Sequence, residues 1–228
     1  MNYKAIDALL HKEVIPAIGC TEPVAVSLCV AKACETLGRL PEKLIVRLSP
    51  NIYKNAMGVG IPGTGMVGLP IAIALGALIG KSSYQLEVLH DCTPEAVEHG
   101  KEYIAQGRIH IELEKNACDN LYVDVVCKNG NNRAEAIIAN AHTRLVYLCC
   151  NNEVKLDERS SLHKTSTQDV ESTLNLRQVF EFATQTPIEQ LEFINEARTL
   201  NEQAAKDALK GNYGHELGKT LSRPLGKG

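Results

Sequence analysis

The chain has 228 residues, a net charge of −3 and 44% hydrophobic residues, ordinary for a soluble globular protein and enough for one large domain or two modest ones. Near-neutral charge without a Lys/Arg run excludes a nucleic-acid surface, and with 4% aromatics and no Trp base-stacking platforms are not expected. Met1 to Lys12 carries charges and lacks a long apolar core, so no signal peptide is read there. Leu69 to Ile79, the most hydrophobic run, is about half the ~20 residues that cross a bilayer, so no membrane partner is expected. The eight cysteines include no CxxC pair, against a zinc ribbon, and the chain lacks the look of a small secreted disulfide scaffold. Reduced thiols in a cytoplasmic protein are the expectation.

In chain order, Asn2 to Ile15 carries Ile6, Leu9, Leu10 and Val14 at helical spacing and is stopped by Pro16. A tight loop, Ala17 to Pro23, follows, with Thr21 as the expected N-cap of a buried helix running to Leu37 and closed by Gly38. Leu44 to Leu48 reads as a strand, Asn51 to Gly68 as a glycine-dense loop, Leu69 to Ile79 as a buried helix and Leu86 to His90 as a second strand. Thr93-Pro94-Glu95 opens a helix that stops near Gly107. Alternating runs then predict strands over Ile109–Glu114, Leu121–Cys127, Arg133–Asn140 and His142–Cys150, with Asn129-Gly130 as a hairpin turn. Residues 153–168 read as a linker, and 169–228 as the start of a helical domain behind an N-terminal domain of residues 1–152. The fold class is α+β (or α/β): an antiparallel or mixed sheet of about four to five strands on helices, followed by an all-helical segment.

Two stretches carry chemistry. The first is Gly19-Cys20-Thr21-Glu22-Pro23, a thiol at a helix start, where the dipole lowers a thiol's pKa, beside a carboxylate able to act as acid or base. The second is Asn51 to Gly80, where Asn51, Lys54 and Asn55 precede Gly58, Gly60, Gly63, Gly65 and Gly68 and then a buried helix, an arrangement suited to a small anion. Two G-x-G-x-x-G patterns overlap there, with Glu87 about twenty residues beyond the second. Pro62 and the distance from the preceding strand weaken a dinucleotide reading. Gly76 to Ser82 mimics a phosphate loop but has one residue too few and lies at a helix C-terminus. His142 is a candidate polar residue. Cys29, Cys34, Cys92, Cys118, Cys127 and the Cys149-Cys150 pair read as packing.

Cys20-Thr21-Glu22-Pro23 together with Asn51-Ile-Tyr-Lys54-Asn55-Ala-Met-Gly58-Val-Gly60-Ile-Pro-Gly63-Thr64-Gly65 resembles the bacterial and archaeal L-cysteine desulfidases, related to the alpha chain of iron–sulfur L-serine dehydratases, a likeness extending to Asn212-Tyr213-Gly214-His215. The resemblance implies a β-eliminating lyase that converts L-cysteine to pyruvate, ammonia and sulfide, or L-serine to pyruvate and ammonia, with a [4Fe–4S] cluster instead of pyridoxal phosphate. It implies Cys20 as the base taking the α-proton, with Glu22 beside it. Thr21, Asn51, Lys54, Asn55, Gly63, Thr64, Gly65 and His142 would bind the amino-acid substrate or support the site. Members of that family are about twice as long and hold their cluster with cysteines of the second half. This chain therefore reads as an N-terminal half, inactive alone, with no metal ligand and no cofactor of its own and with an apolar face that favours a homodimer. The alternative is a non-catalytic module binding a small metabolite or nucleotide through the same loop.

Overall fold

The computed structural model describes residues 3–17, 19–117, 119–162, 174–212 and 216–222. The chain divides into two compact units, Ala17–Thr165 and Met1–Pro16 together with Ser166–Gly228.

The larger unit is built on α2 (Thr21–Leu37), twelve of whose seventeen residues are buried. Its mix of Ala, Ser, Cys and Val leaves short side chains on nearly every side, so both sheet and helix approach closely. Along one flank runs α4 (Leu69–Leu78), buried from Leu69 to Gly76 apart from half-buried Pro70. A Cβ on Gly76 would stand 2.7 Å from the Ser27 carbonyl oxygen, which shows how tightly the two helices meet. The Ser27 hydroxyl lies 2.8 Å from the Ala72 carbonyl and bridges them. Against α4 packs α5 (Pro94–Ala105), whose N-cap Thr93 accepts from the Ala96 N–H at 3.2 Å, as its Thr-Pro-Glu start implies.

Across the other flank of α2 lies a six-stranded sheet. Its strands are β1 (Lys43–Leu48), β4 (Ile109–Leu113), β5 (Tyr122–Asn129), β6 (Asn132–Ala139), β7 (Leu145–Cys150) and β8 (Glu153–Asp157), in the order β4-β1-β5-β6-β7-β8. The β1–β4 pair is parallel and the others are antiparallel, so the sheet is mixed and α+β holds. Alternate residues point inward: Leu44, Val46 and Leu48; Val123, Val125 and Cys127; Ala134, Ala136 and Ile138. They join α2 and α4 in one core. The β5–β6 turn uses Gly130 at φ 55° as the first of two loop residues, the type II′ pattern, so Asn129 stays in the strand.

Several expectations are corrected. Leu86 to His90 is not a strand. Ser82–Glu87 forms 3₁₀ turns, and Leu86, Val88 and Leu89 are all buried, which breaks the period of two a half-buried strand needs. Asn51 to Ala56 is not loop but α3 (Pro50–Ala56), with Pro50 at its start and Ile52 and Ala56 buried one turn apart. The glycine segment folds as a small hairpin of β2 (Gly60–Ile61) and β3 (Met66–Val67). β8 occupies part of the expected linker. It is joined to β7 by Asn151 and Asn152, both at positive φ (46° and 74°), a type I′ turn hidden by its charged surroundings. The remaining linker residues from 163 onward, and the expected helix start at Asp169, lie outside the described residues.

In the second unit, α1 (Tyr3–Glu13) groups with the C-terminal helices. The Tyr3 hydroxyl donates to Gln185 at 2.7 Å, its ring lies 5.7 Å from Phe182, and His11 stacks on Phe193 at 4.0 Å. These partners belong to or flank α6 (Leu176–Gln185) and α7 (Ile194–Lys210); α8 (Leu217–Ser222) follows. Among the described residues no helix is long and apolar enough to cross a membrane.

Candidate functional site

The two chemistry-bearing stretches meet in the Ala17–Thr165 unit. Gly19 has φ 86°, and a Cβ there would stand 2.8 Å from Cγ of Pro62. Only glycine meets both demands, so the loop before α2 rests on the tip of the β2–β3 hairpin. Sequence reading paired Cys20 with the glycine loop but missed that Gly19 and Pro62 make the joint.

The helix starts one residue earlier than expected. Thr21 is its first residue, and Cys20 is the N-cap with extended backbone (φ −69°, ψ 133°). The thiol does not cap the helix. Cys20 Sγ donates to Glu22 Oε2 at 2.9 Å, the Thr21 hydroxyl reaches the same oxygen at 3.4 Å, and Asn55 Nδ2 donates to Oε1 at 3.3 Å. Three expected site residues, Cys20, Thr21 and Asn55, thus converge on the carboxylate of a fourth, Glu22. Asn51, Lys54 and Asn55 share the helical face of α3 that brings Asn55 there; Asn51 and Lys54 are exposed. His142, expected to begin a strand, lies instead in the turn between β6 and β7, near enough for its charge to act on Glu22.

The electrostatics reverse one expectation. Partial burial, then the hydrogen bond to Glu22, raises the Cys20 thiol above its ordinary 9.0; the backbone N–H groups of Glu22 and Thr21 pull it down by less. The same hydrogen bond, with Asn55 and His142 helping, lowers Glu22 below its ordinary 4.5. The resting pair is a neutral thiol on an ionised carboxylate, because a carboxylate 2.9 Å away outweighs a helix terminus.

The glycine hairpin is shaped by its own turns. Gly63 and Gly65 take positive φ (77° and 64°) to turn the chain. Thr64, expected to face substrate, is buried, its hydroxyl bonding the Ile61 carbonyl at 2.6 Å and accepting from the Met66 N–H at 2.9 Å. A Cβ on Gly68, the N-cap of α4, would lie 2.6 Å from the Met57 carbonyl oxygen. The backbone at Met57 therefore packs directly against the start of α4, which glycine at position 68 permits. Cys20, Pro23, Ser27, Ile61, Pro62 and Leu89 line a cavity of about 10 Å³, room for one water at most.

The other thiols behave as core. Cys29 lies 3.2 Å from the Ala136 carbonyl, and the buried Cys34 and Cys127 thiols hydrogen-bond to each other at 3.6 Å with no disulfide between them. The hydrogen bond to Cys34, then burial, pushes the Cys127 thiol well up. Cys149 and Cys150 point to opposite faces of the sheet, and Cys118 lies outside the described residues, as do Tyr213, Gly214 and His215. An iron–sulfur cluster needs several converging thiolates. Among the described residues no group of three or more His, Cys, Asp or Glu is placed to hold a metal, so these residues do not fit the group.

The chain is similar to proteins named UPF0597 protein: 57% identical over 218 residues to that of Bacteroides thetaiotaomicron (96% of this chain, 51% of the relative), 57% over 217 residues to that of Phocaeicola vulgatus (95% and 50%) and 40% over 219 residues to that of Oleidesulfovibrio alaskensis (96% and 51%). It spans about half the length of the curated relatives it matches. No family model matches it, and no solved structure does.

Proposed function

We propose that this chain carries the proton-transfer wall of an amino-acid β-eliminating lyase, acting on L-cysteine or L-serine, with Cys20 and Glu22 as its acid–base pair. The observation behind this reading is the 2.9 Å hydrogen bond from Cys20 Sγ to Glu22, held beside the hairpin by the Gly19–Pro62 contact. Glu22 takes the thiol proton, the Cys20 thiolate takes the proton from the substrate's α-carbon, and Glu22 returns its proton to the departing sulfide or hydroxide. The ordinary thiol and carboxyl values, 9.0 against 4.5, are 4.5 pH units apart. The first transfer therefore costs about 6 kcal/mol, well inside the roughly 16 kcal/mol barrier of an enzyme turning over about ten times a second. A raised thiol is also the stronger base once ionised, which suits a weakly acidic α-proton. Asn51 and Lys54 hold the substrate carboxylate, and Asn55 and His142 keep Glu22 ionised.

The cytoplasm is the proposed location, as the resemblance to the L-cysteine desulfidases suggests. A cavity of about 10 Å³ is too small for an amino acid, so the opposite wall comes from the part of the relatives this chain does not match. The test is to assemble this chain anaerobically with that part, iron and sulfide, and to assay pyruvate. Turnover of L-cysteine or L-serine is expected, with Cys20→Ala reducing it at least ~10²-fold. A loaded assembly inert toward both amino acids overturns the reading, and one that binds them without turnover establishes the binding-module alternative.

A further inference from the structure

The helices of the Met1–Pro16 and Ser166–Gly228 unit leave apolar surface uncovered. In α6, Leu176, Val179, Phe180 and Ala183 follow the i, i+3, i+4, i+7 spacing of a buried stripe, yet all four are exposed, Leu176 at 85% and Phe180 at 66%. Phe182 turns inward instead, to Tyr3. Beyond α6, Ile188 is 75% exposed. The seventeen-residue α7 buries none of its residues, although Leu200 and Leu209 lie along it. In α8, Leu217 and Leu221, one turn apart, are also exposed. Helices of this length owe most of their stability to packing of an apolar face, and exposed apolar residues gathered on consecutive helices mark an interaction surface.

We infer that this face docks the polypeptide corresponding to the half of the relatives that this chain does not match. The helices lie within a chain matched over 96% of its length, in relatives that carry about as many residues again. The occupant accordingly presents a complementary apolar surface, and Leu176 and Phe180 are its anchors.

The 228-residue chain is tagged and co-expressed with the unmatched residues of the Bacteroides thetaiotaomicron relative, and the product is weighed by light scattering. A 1:1 complex is expected, weakened at least ~100-fold by Leu176→Asp with Phe180→Asp; both side chains are exposed, so the substitutions leave the fold intact. Retention of full affinity by that double variant overturns the inference. So does a homodimer of the chain alone that the same substitutions dissociate, since a second copy is then the occupant. Should the co-expressed polypeptide be insoluble, hydroxyl-radical footprinting of the free chain decides. Leu176, Phe180, Leu217 and Leu221 are expected to label as exposed side chains, and protection would show that the chain covers them itself.

Discussion

Glu22 governs Cys20 more than the helix terminus does. Removing its charge should release the thiol, so Glu22→Gln is expected to increase the rate of Cys20 alkylation by iodoacetamide near neutral pH, followed by mass spectrometry of the Cys20 peptide. An unchanged rate would show that Glu22 does not set the thiol's ionisation. The second residue-scale effect is at Asp124, 6% exposed, with Oδ2 on Arg47 at 2.9 Å and Oδ1 buried without a partner. Burial lifts its carboxyl from 3.8 to about 6, outweighing the pull of Arg47. The folded chain therefore holds this proton more tightly than the unfolded chain does. The contribution to stability is complete below pH 3.8 and is lost as pH rises through 6. Urea unfolding across that window should show wild type losing about 3 kcal/mol relative to Asp124→Asn; parallel curves would refute the assignment.

At the scale of elements, α2 and α4 owe their contact to small residues, and Gly76 is where the backbones come closest. Gly76→Ala is expected to cost about 1–3 kcal/mol of stability, read from denaturant midpoints, whereas Gly58→Ala, with open space around it, should cost far less. Equal effects would mean that the close approach is not what holds the pair. Elements with one clean signal were legible in the sequence: α5 from Thr93-Pro94-Glu95, β5 and β6 from strict alternation, the end of α2 from Gly38. Those whose signals competed were not. The polar surface of Asn51, Lys54 and Asn55 concealed the Pro50, Ile52 and Ala56 pattern of α3. Lys155 and Asp157 disguised β8, and the apolar density at Leu86–Leu89 imitated a strand. At the site, the pairing of Cys20 with Glu22 was legible, but the thiol's direction of shift was not, because it depends first on burial and then on a 2.9 Å contact, neither of which spacing reveals.

At the scale of the molecule, one unit positions Cys20, Glu22 and Asn55 on a rigid helix-and-sheet core, and the other offers an uncovered apolar face. On both proposals the partner is the part of the relatives that this chain, spanning about half their length, does not match: it would complete the site and cover the exposed helices. The docking inference and the lyase reading fail separately, since a complex can form and be inert. The most direct test of the proton-transfer pair is the fate of the substrate's α-proton. L-serine deuterated at the α-carbon is offered to the anaerobically loaded assembly, and release of deuterium to water is measured for wild type and Cys20→Ala at equal iron content. Slowed turnover of the deuterated substrate by wild type and a loss of at least ~10²-fold in the variant are expected; release by Cys20→Ala at the wild-type rate would contradict Cys20 as the base.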